Sequence, residues 1–276
     1  MTETRRWRLL LAYEGSSFRG FAVQTGVPTV AGELAGAIAR SAHLADPPPV
    51  VCAGRTDAGV HATGQVAHLD LPASFDGDLV RAVNRQLAPR IVVRAAVPVG
   101  DDFDARRSAV FRRYRYLVWN AAVPDPLLAG LAWHVAEPLD VKAMASAADP
   151  LLGEHDFRAF CRRPPGRQPA EPIRRKVIRA CWRRVPATSL CEEPEGAETS
   201  SLLRFDVVAG SFCHQMVRSI VAVLVDAGRG RATAATVVAL LAAGSREGTP
   251  KPAPAHGLCL VEVGYDAGDR GAGRPG

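Results

Sequence analysis

The chain is 276 residues long, enough for one large or two small domains with a packed core. Its hydrophobic content of 47% describes a globular protein, and 34 basic against 28 acidic residues leave an arginine-rich excess of +6, which favours a polyanionic partner. No apolar run reaches the roughly 18 residues of a membrane helix, and the opening stretch does not read as a signal peptide. Six scattered cysteines with no Cys-x-x-Cys pair, and seven histidines with no His-Glu-x-x-His pattern, make a metal site unexpected. They suggest a reducing, cytoplasmic setting with free thiols.

In chain order, residues 7–13 read as a strand closed by Glu14-Gly15-Ser16-Ser17. Gly15 to Gly20 has the spacing of a phosphate loop but lacks its Lys, so no nucleotide is expected there. Thr29 can cap a helix on which Val30, Leu34 and Ile38 recur every fourth residue. Three prolines, 47–49, lead into a short apolar strand at 50–52, and an alternating strand follows at 65–71. Asp76 or Asp78 caps a second helix with Leu79, Val83 and Leu87 on one stripe, and 91–99 is a further strand.

The second half repeats that grammar. Residues 111–120 alternate as a strand, with Tyr114 and Tyr116 on one face and Arg113 and Arg115 on the other. Asp140 can start a helix that Asp149-Pro150 should end. Residues 162–175 form a Pro- and Arg-rich loop. Strands at 173–185 and 201–209 flank an acidic tip, Glu192 to Glu198. Met216, Ile220 and Leu224 mark a helix ending at Gly228, 237–241 marks another, and 258–265 is a last strand. The Gly- and Arg-rich residues after Asp266 are expected to be disordered.

Between the strands at 50–52 and 65–71 lies the stretch Ala53-Gly54-Arg55-Thr56-Asp57-Ala58-Gly59-Val60-His61-Ala62, a loop with one carboxylate between two glycines. Gly54 and Gly59 can take positive φ, which permits a tight turn. Arg55 lies two residues from Asp57, and a cation within a few ångströms would keep that carboxylate ionised, as a nucleophile or base requires. An Asp-x-Gly turn is also ordinary turn chemistry, but a plain turn has no need of Arg55, His61 and Gln65 around it.

This loop, with Gly64-Gln65-Val66, resembles the signature of the tRNA pseudouridine synthases of the A (TruA) family. The resemblance extends to Tyr13-Glu14-Gly15-Ser16 with Gly20 and Gln24, Phe103-Asp104-Ala105-Arg106, Arg112-Arg113-Tyr114-Arg115-Tyr116, the stretch Leu152 to Phe157, Met216-Val217-Arg218, and the stretch Pro252 to Leu258. It spans residues 7–265 in family order. It implies an α+β fold of two ferredoxin-like halves sharing a continuous, mainly antiparallel sheet with helices on one face. The halves are expected at 1–105 and 106–266, with 267–276 as a tail. A homodimer is implied, with tRNA as partner and the anticodon stem-loop, positions 38–40, as target. By matching motif positions, Asp57 and Arg218 are the catalytic residues, Arg218 as partner of the Asp57 carboxylate. Tyr114 is the ring that stacks on the target uracil, and Arg55, His61 and Gln65 are assigned to substrate binding. No cofactor and no metal is implied. Departures from the family pattern stand at Phe21-Ala22-Val23, at Gly210-Ser211, at Ala159 and at Cys259.

The implied reaction breaks the N1–C1′ bond of a uridine, turns the base and rejoins it through C5. A carboxylate can attack the sugar carbon or remove a sugar proton. An aromatic platform must hold the loose base, and extruding it from a stem costs a few kcal/mol, about what a handful of phosphate contacts can offset. Arg106, Arg107, Arg112 and Arg113 are candidates for such contacts. A non-catalytic RNA-binding or RNA-refolding protein would share the basic surface without needing Asp57. A glycoside-type hydrolase would need a second carboxylate near it.

Overall fold

The computed structural model describes residues 3–162, 171–185 and 201–266. Most of the basic loop, the acidic tip at 192–198, Cys191 and the tail lie outside the described residues. The chain forms a mixed α/β structure of two compact units, one of residues 1–112 with 259–276, the other of 113–258.

The first unit is built on β1 (Thr4–Tyr13), α1 (Val30–Ser41), β2 (Val51–Cys52), β3 (His61–Pro72), α2 (Leu79–Leu87) and β4 (Ile91–Val99). The last strand, β10 (Leu258–Tyr265), returns to it. β1 pairs antiparallel with both β3 and β4. On its other edge β3 takes β10 in parallel, Cys259 opposite His61, and β2 also pairs with β3. Alternation along β1 buries Leu9, Leu11 and Tyr13. Thr29 caps α1 through its hydroxyl, which accepts from Gly32 N at 3.2 Å, and Asp78 caps α2 through Arg81 N at 3.0 Å. Both helices pack their apolar stripes inward, and they pack on each other.

Within β5 (Ala109–Trp119) the chain passes into the second unit. There follow β6 (Trp133–His134), α3 (Val141–Ala148), β7 (Gly153–Asp156), β8 (Arg174–Arg184), β9 (Leu202–Ala209), α4 (Met216–Gly228) and α5 (Ala234–Ala243). The sheet order is β5-β9-β8-β7, with β6 parallel to β5. Asp140 caps α3 through Lys142 N and Ala143 N, and Pro150 turns the chain into a single 3-10 turn after Ala148, as the Asp-Pro pair foretold. The short strands β6 and β7 carry no sequence signal of their own.

One expectation is corrected. Cys161 and Cys213, 52 residues apart, form a disulfide with 5.8 Å between their Cα atoms, so the thiols are not all free. Spacing alone could not reveal the pair, because only the tertiary fold brings the turn after β7 beside the lead-in to α4. Among the described residues, Cys52, Cys181 and Cys259 stand outside any disulfide. No helix among the described residues is long and apolar enough to cross a membrane.

Candidate active site

The loop carrying Asp57 occupies residues 53–60, because β3 begins at His61 rather than at Gln65. Strict alternation is absent from β3, which lies between two neighbouring strands and is buried on both faces for most of its length. Its first four residues therefore read as loop from sequence and fold as strand.

The loop is fastened from every side. Ala53 N donates to Val66 O at 2.8 Å, and Ala53 O accepts from Nη2 and Nε of Arg112 at 2.9 and 3.3 Å. Gly54 O accepts from Gln65 Nε2 at 2.7 Å, and the same amide reaches the Tyr13 hydroxyl at 3.3 Å. That hydroxyl shares a 2.8 Å hydrogen bond with Thr56 Oγ1, and Thr56 O accepts from Phe21 N at 3.1 Å. Val60 N closes on Asp57 O at 3.1 Å, with Gly59 at φ +78° in the third position of the turn, where a type II turn reserves positive φ. Gly54 does not use its left-handed freedom.

This frame settles the character of several side chains. Gln65 is fully buried, and its amide nitrogen holds the loop, while its Oε1 is buried without a hydrogen-bond partner among the described residues. His61 is 6% exposed, and its Nδ1 accepts from Gly15 N at 3.0 Å, with Glu14 Oε1 at 3.4 Å. Arg112 is 7% exposed and donates also to Arg106 O and Ala109 O, so it is an interior strut and not a phosphate contact. Asp57 is half-buried at the head of its turn. Arg55 is exposed on the same loop. Burial pushes the Cys52 thiol up to about 11, against a smaller opposing pull from Arg55, so this neighbouring sulfur stays protonated and a poor nucleophile.

The frame extends to the Phe103–Arg106 motif. Asp104 Oδ1 accepts from the backbone N–H of Arg106 and Arg107, both at 2.8 Å. Burial raises its pKa, but those two bonds outweigh it and hold the carboxyl below its ordinary value. Ala105 N donates to His68 Nδ1 at 3.0 Å, and the His68 pKa is lowered by burial first and by Arg6 second. The Tyr265 hydroxyl donates to Ala105 O at 2.7 Å. Thus β10, the last strand, ties this motif down.

Tyr114 and Arg218 belong to the second unit. Tyr114 is 7% exposed and meets Phe212 edge-on, centroids 5.1 Å apart. Tyr116, on the same strand face, is fully buried and donates from its hydroxyl to Pro254 O at 2.8 Å. Burial raises its pKa, with Arg218 pulling the other way. Arg218 sits in the first turn of α4, donates from Nε to Ala253 O at 2.7 Å, and accepts Ala253 N on its own carbonyl at 3.1 Å. Three stretches distant in sequence, 114–116, 216–218 and 252–258, therefore meet around Tyr116 and Arg218.

Of the residues singled out from sequence, Asp57, Arg55, His61 and Gln65 come together in one unit, and Tyr114 and Arg218 in the other. Sequence reasoning missed Tyr13, Thr56, Phe21 and Arg112 as the frame of the Asp57 loop. Tyr13 and Arg112 stood at the ends of resembling motifs, which was the available signal. Among the described residues no three His, Cys, Asp or Glu side chains are grouped to hold a metal ion.

Comparison with known proteins agrees with these motifs. The family model described as tRNA pseudouridine synthase matches residues 147–266. The chain is 45% identical to tRNA pseudouridine synthase A of Frankia casuarinae over 269 residues, covering 94% of this chain and 89% of that protein. It is 42% identical to the protein of that name from Methylobacterium nodulans, covering 94% and 96%, and 40% identical to that from Cutibacterium acnes, covering 94% and 88%. At this identity, over nearly the whole of each chain, the protein belongs to the tRNA pseudouridine synthase A family.

Proposed function

We propose that the chain isomerises uridine to pseudouridine in the anticodon stem-loop of tRNA, with Asp57 as the reacting carboxylate. The observation that carries this reading is the loop itself. A half-buried Asp57 heads a turn whose carbonyls at 53, 54, 56 and 57 are all held by named donors. Such a fixed backbone presents one carboxylate in one place, which is what attack on a sugar carbon, or removal of a sugar proton, requires. Arg218 is the second catalytic side chain, Tyr114 supplies the ring for the detached uracil, and Arg55 meets the RNA. His61 and Gln65 serve the substrate through the shape they impose on the loop. The two units correspond to two ferredoxin-like halves, and the working form is a homodimer. Isomerisation neither adds nor removes atoms overall: the N1–C1′ bond breaks, a C5–C1′ bond forms, C5 loses its proton and N1 gains one.

The test is to map pseudouridine in tRNA from cells with and without this protein. Signals at anticodon stem-loop positions 38–40 that vanish in its absence and return with the intact gene support the assignment. Unchanged tRNA in those cells would refute it and favour the non-catalytic RNA-binding reading.

A further inference from the structure

Strand alternation turns Tyr114 and Arg115 to opposite faces of the β5-β9-β8-β7 sheet. The face that carries Val177, Trp182, Leu203, Phe205 and Val207 is buried. The other face is arginine-rich. In the register of β8 against β9, Arg183 lies opposite Arg204, Cys181 opposite Asp206 and Arg179 opposite Val208, so these side chains share one side with Arg115.

At its centre Asp206, only 3% exposed, takes three guanidiniums: Arg204 Nε at 2.7 Å, Arg183 Nη2 at 3.2 Å and Arg115 Nε at 3.3 Å. Neutralising one buried carboxylate needs one cation. Three of them, with exposed Arg179 beside them, leave a concentrated positive patch, and Asp206 is the one carboxylate they reach among the described residues. Each guanidinium spends a single nitrogen on Asp206, and the side chains remain 22–44% exposed, so donors are left over for a second anion. Asp206 thus acts as an anchor that aligns three planar forks and lowers the entropy lost when they bind. Planar, pre-aligned forks suit phosphodiester oxygens better than a lysine cluster would.

We infer that the Arg115–Arg183–Arg204 cluster on Asp206 is a docking surface for the phosphate backbone of tRNA, on the sheet face away from Tyr114. The inference rests on the proposed reading that tRNA is the substrate, and it assigns these residues to binding and not to the chemistry.

The test measures binding of an unmodified tRNA transcript to the full chain at several KCl concentrations, for wild type and for the Arg183→Gln/Arg204→Gln double variant. Loss of two phosphate contacts should weaken affinity by roughly tenfold or more near 100 mM salt and lower the slope of log K against log salt by about two. The loss should appear in KM and not in kcat, and Arg183→Lys/Arg204→Lys should restore most of the slope. Arg183→Gln alone, at the most exposed of the three, should lower the slope by about one and keeps the test open if the double variant unfolds. Unchanged affinity and slope overturn the inference. So does weakened binding that comes with a changed solution mass, since the face would then join copies of the chain. Pseudouridine formation by wild type is read separately, so failure of the activity and failure of this surface are distinguishable.

Discussion

Tyr114 has a packing role in the structure and a stacking role in the proposed function. Its ring is almost wholly buried and braced edge-on by Phe212, so it contributes to packing in the free protein. The proposed role as platform for uracil requires that it also offer a face. The two roles separate by substitution. Tyr114→Phe keeps the ring and should keep both the melting temperature and most of the single-turnover rate. Tyr114→Ala should cost about 3–5 kcal/mol in unfolding free energy through packing, and about 1–3 kcal/mol more in base interaction. A Tyr114→Ala protein that binds and turns over tRNA normally, whatever its melting temperature, would remove Tyr114 from the site. His68 gives a second residue-scale expectation. Burial, and then Arg6, lower its pKa from the ordinary 6.5, so the folded state resists its protonation more than the unfolded chain does. Stability should therefore be complete above about pH 6.5 and decline as pH falls below it, as the unfolded chain takes up the proton first. Urea midpoints at pH 7.5 and 5.5 should differ for wild type and differ less for His68→Asn. Equal differences in the two proteins would contradict this.

At the scale of elements, the Asp57 loop depends on the segment after β1 as much as on its own turn. Gly15 packs directly on the Val60 carbonyl, where a Cβ would overlap it. Gly15→Ala should therefore push the two loops apart, destabilise the protein by about 1–3 kcal/mol and slow pseudouridine formation more than tenfold. A variant that melts and reacts like wild type would show that the loop is not held there. The spacing of Gly15 and Gly20 resembles a phosphate loop because both uses need close backbone approach; only the missing Lys told them apart in sequence. Helices were readable wherever a cap and a four-residue stripe coincided, at Thr29 with Val30, Leu34 and Ile38, and at Asp140 before Pro150. The first residues of β3 were not, because burial on both faces erases alternation. Arg112 was misread for a related reason: a run of arginines on a strand looks like a phosphate-binding surface until alternation turns one of them inward onto carbonyls.

For the whole molecule, the motifs that named the family fall into two sets, and each set closes a different unit. The segments at 13–21, 53–65, 103–106 and 112 frame Asp57, while 114–116, 216–218 and 252–258 frame Arg218. The candidate site was proposed from motif positions, because a strand tyrosine and a helix arginine carry no chemical signal of their own until the resemblance places them beside the Asp57 loop motif. The Cys161–Cys213 bond and the arginines gathered on Asp206 were not legible, since both depend on tertiary neighbours far apart in sequence. In the proposed reading the activity turns on Asp57. A single-turnover assay of pseudouridine formation, with purified protein and an unmodified tRNA transcript, should show Asp57→Asn reduced to background while its tRNA affinity stays within a few fold of wild type. Turnover by Asp57→Asn within tenfold of wild type would contradict the account at its centre.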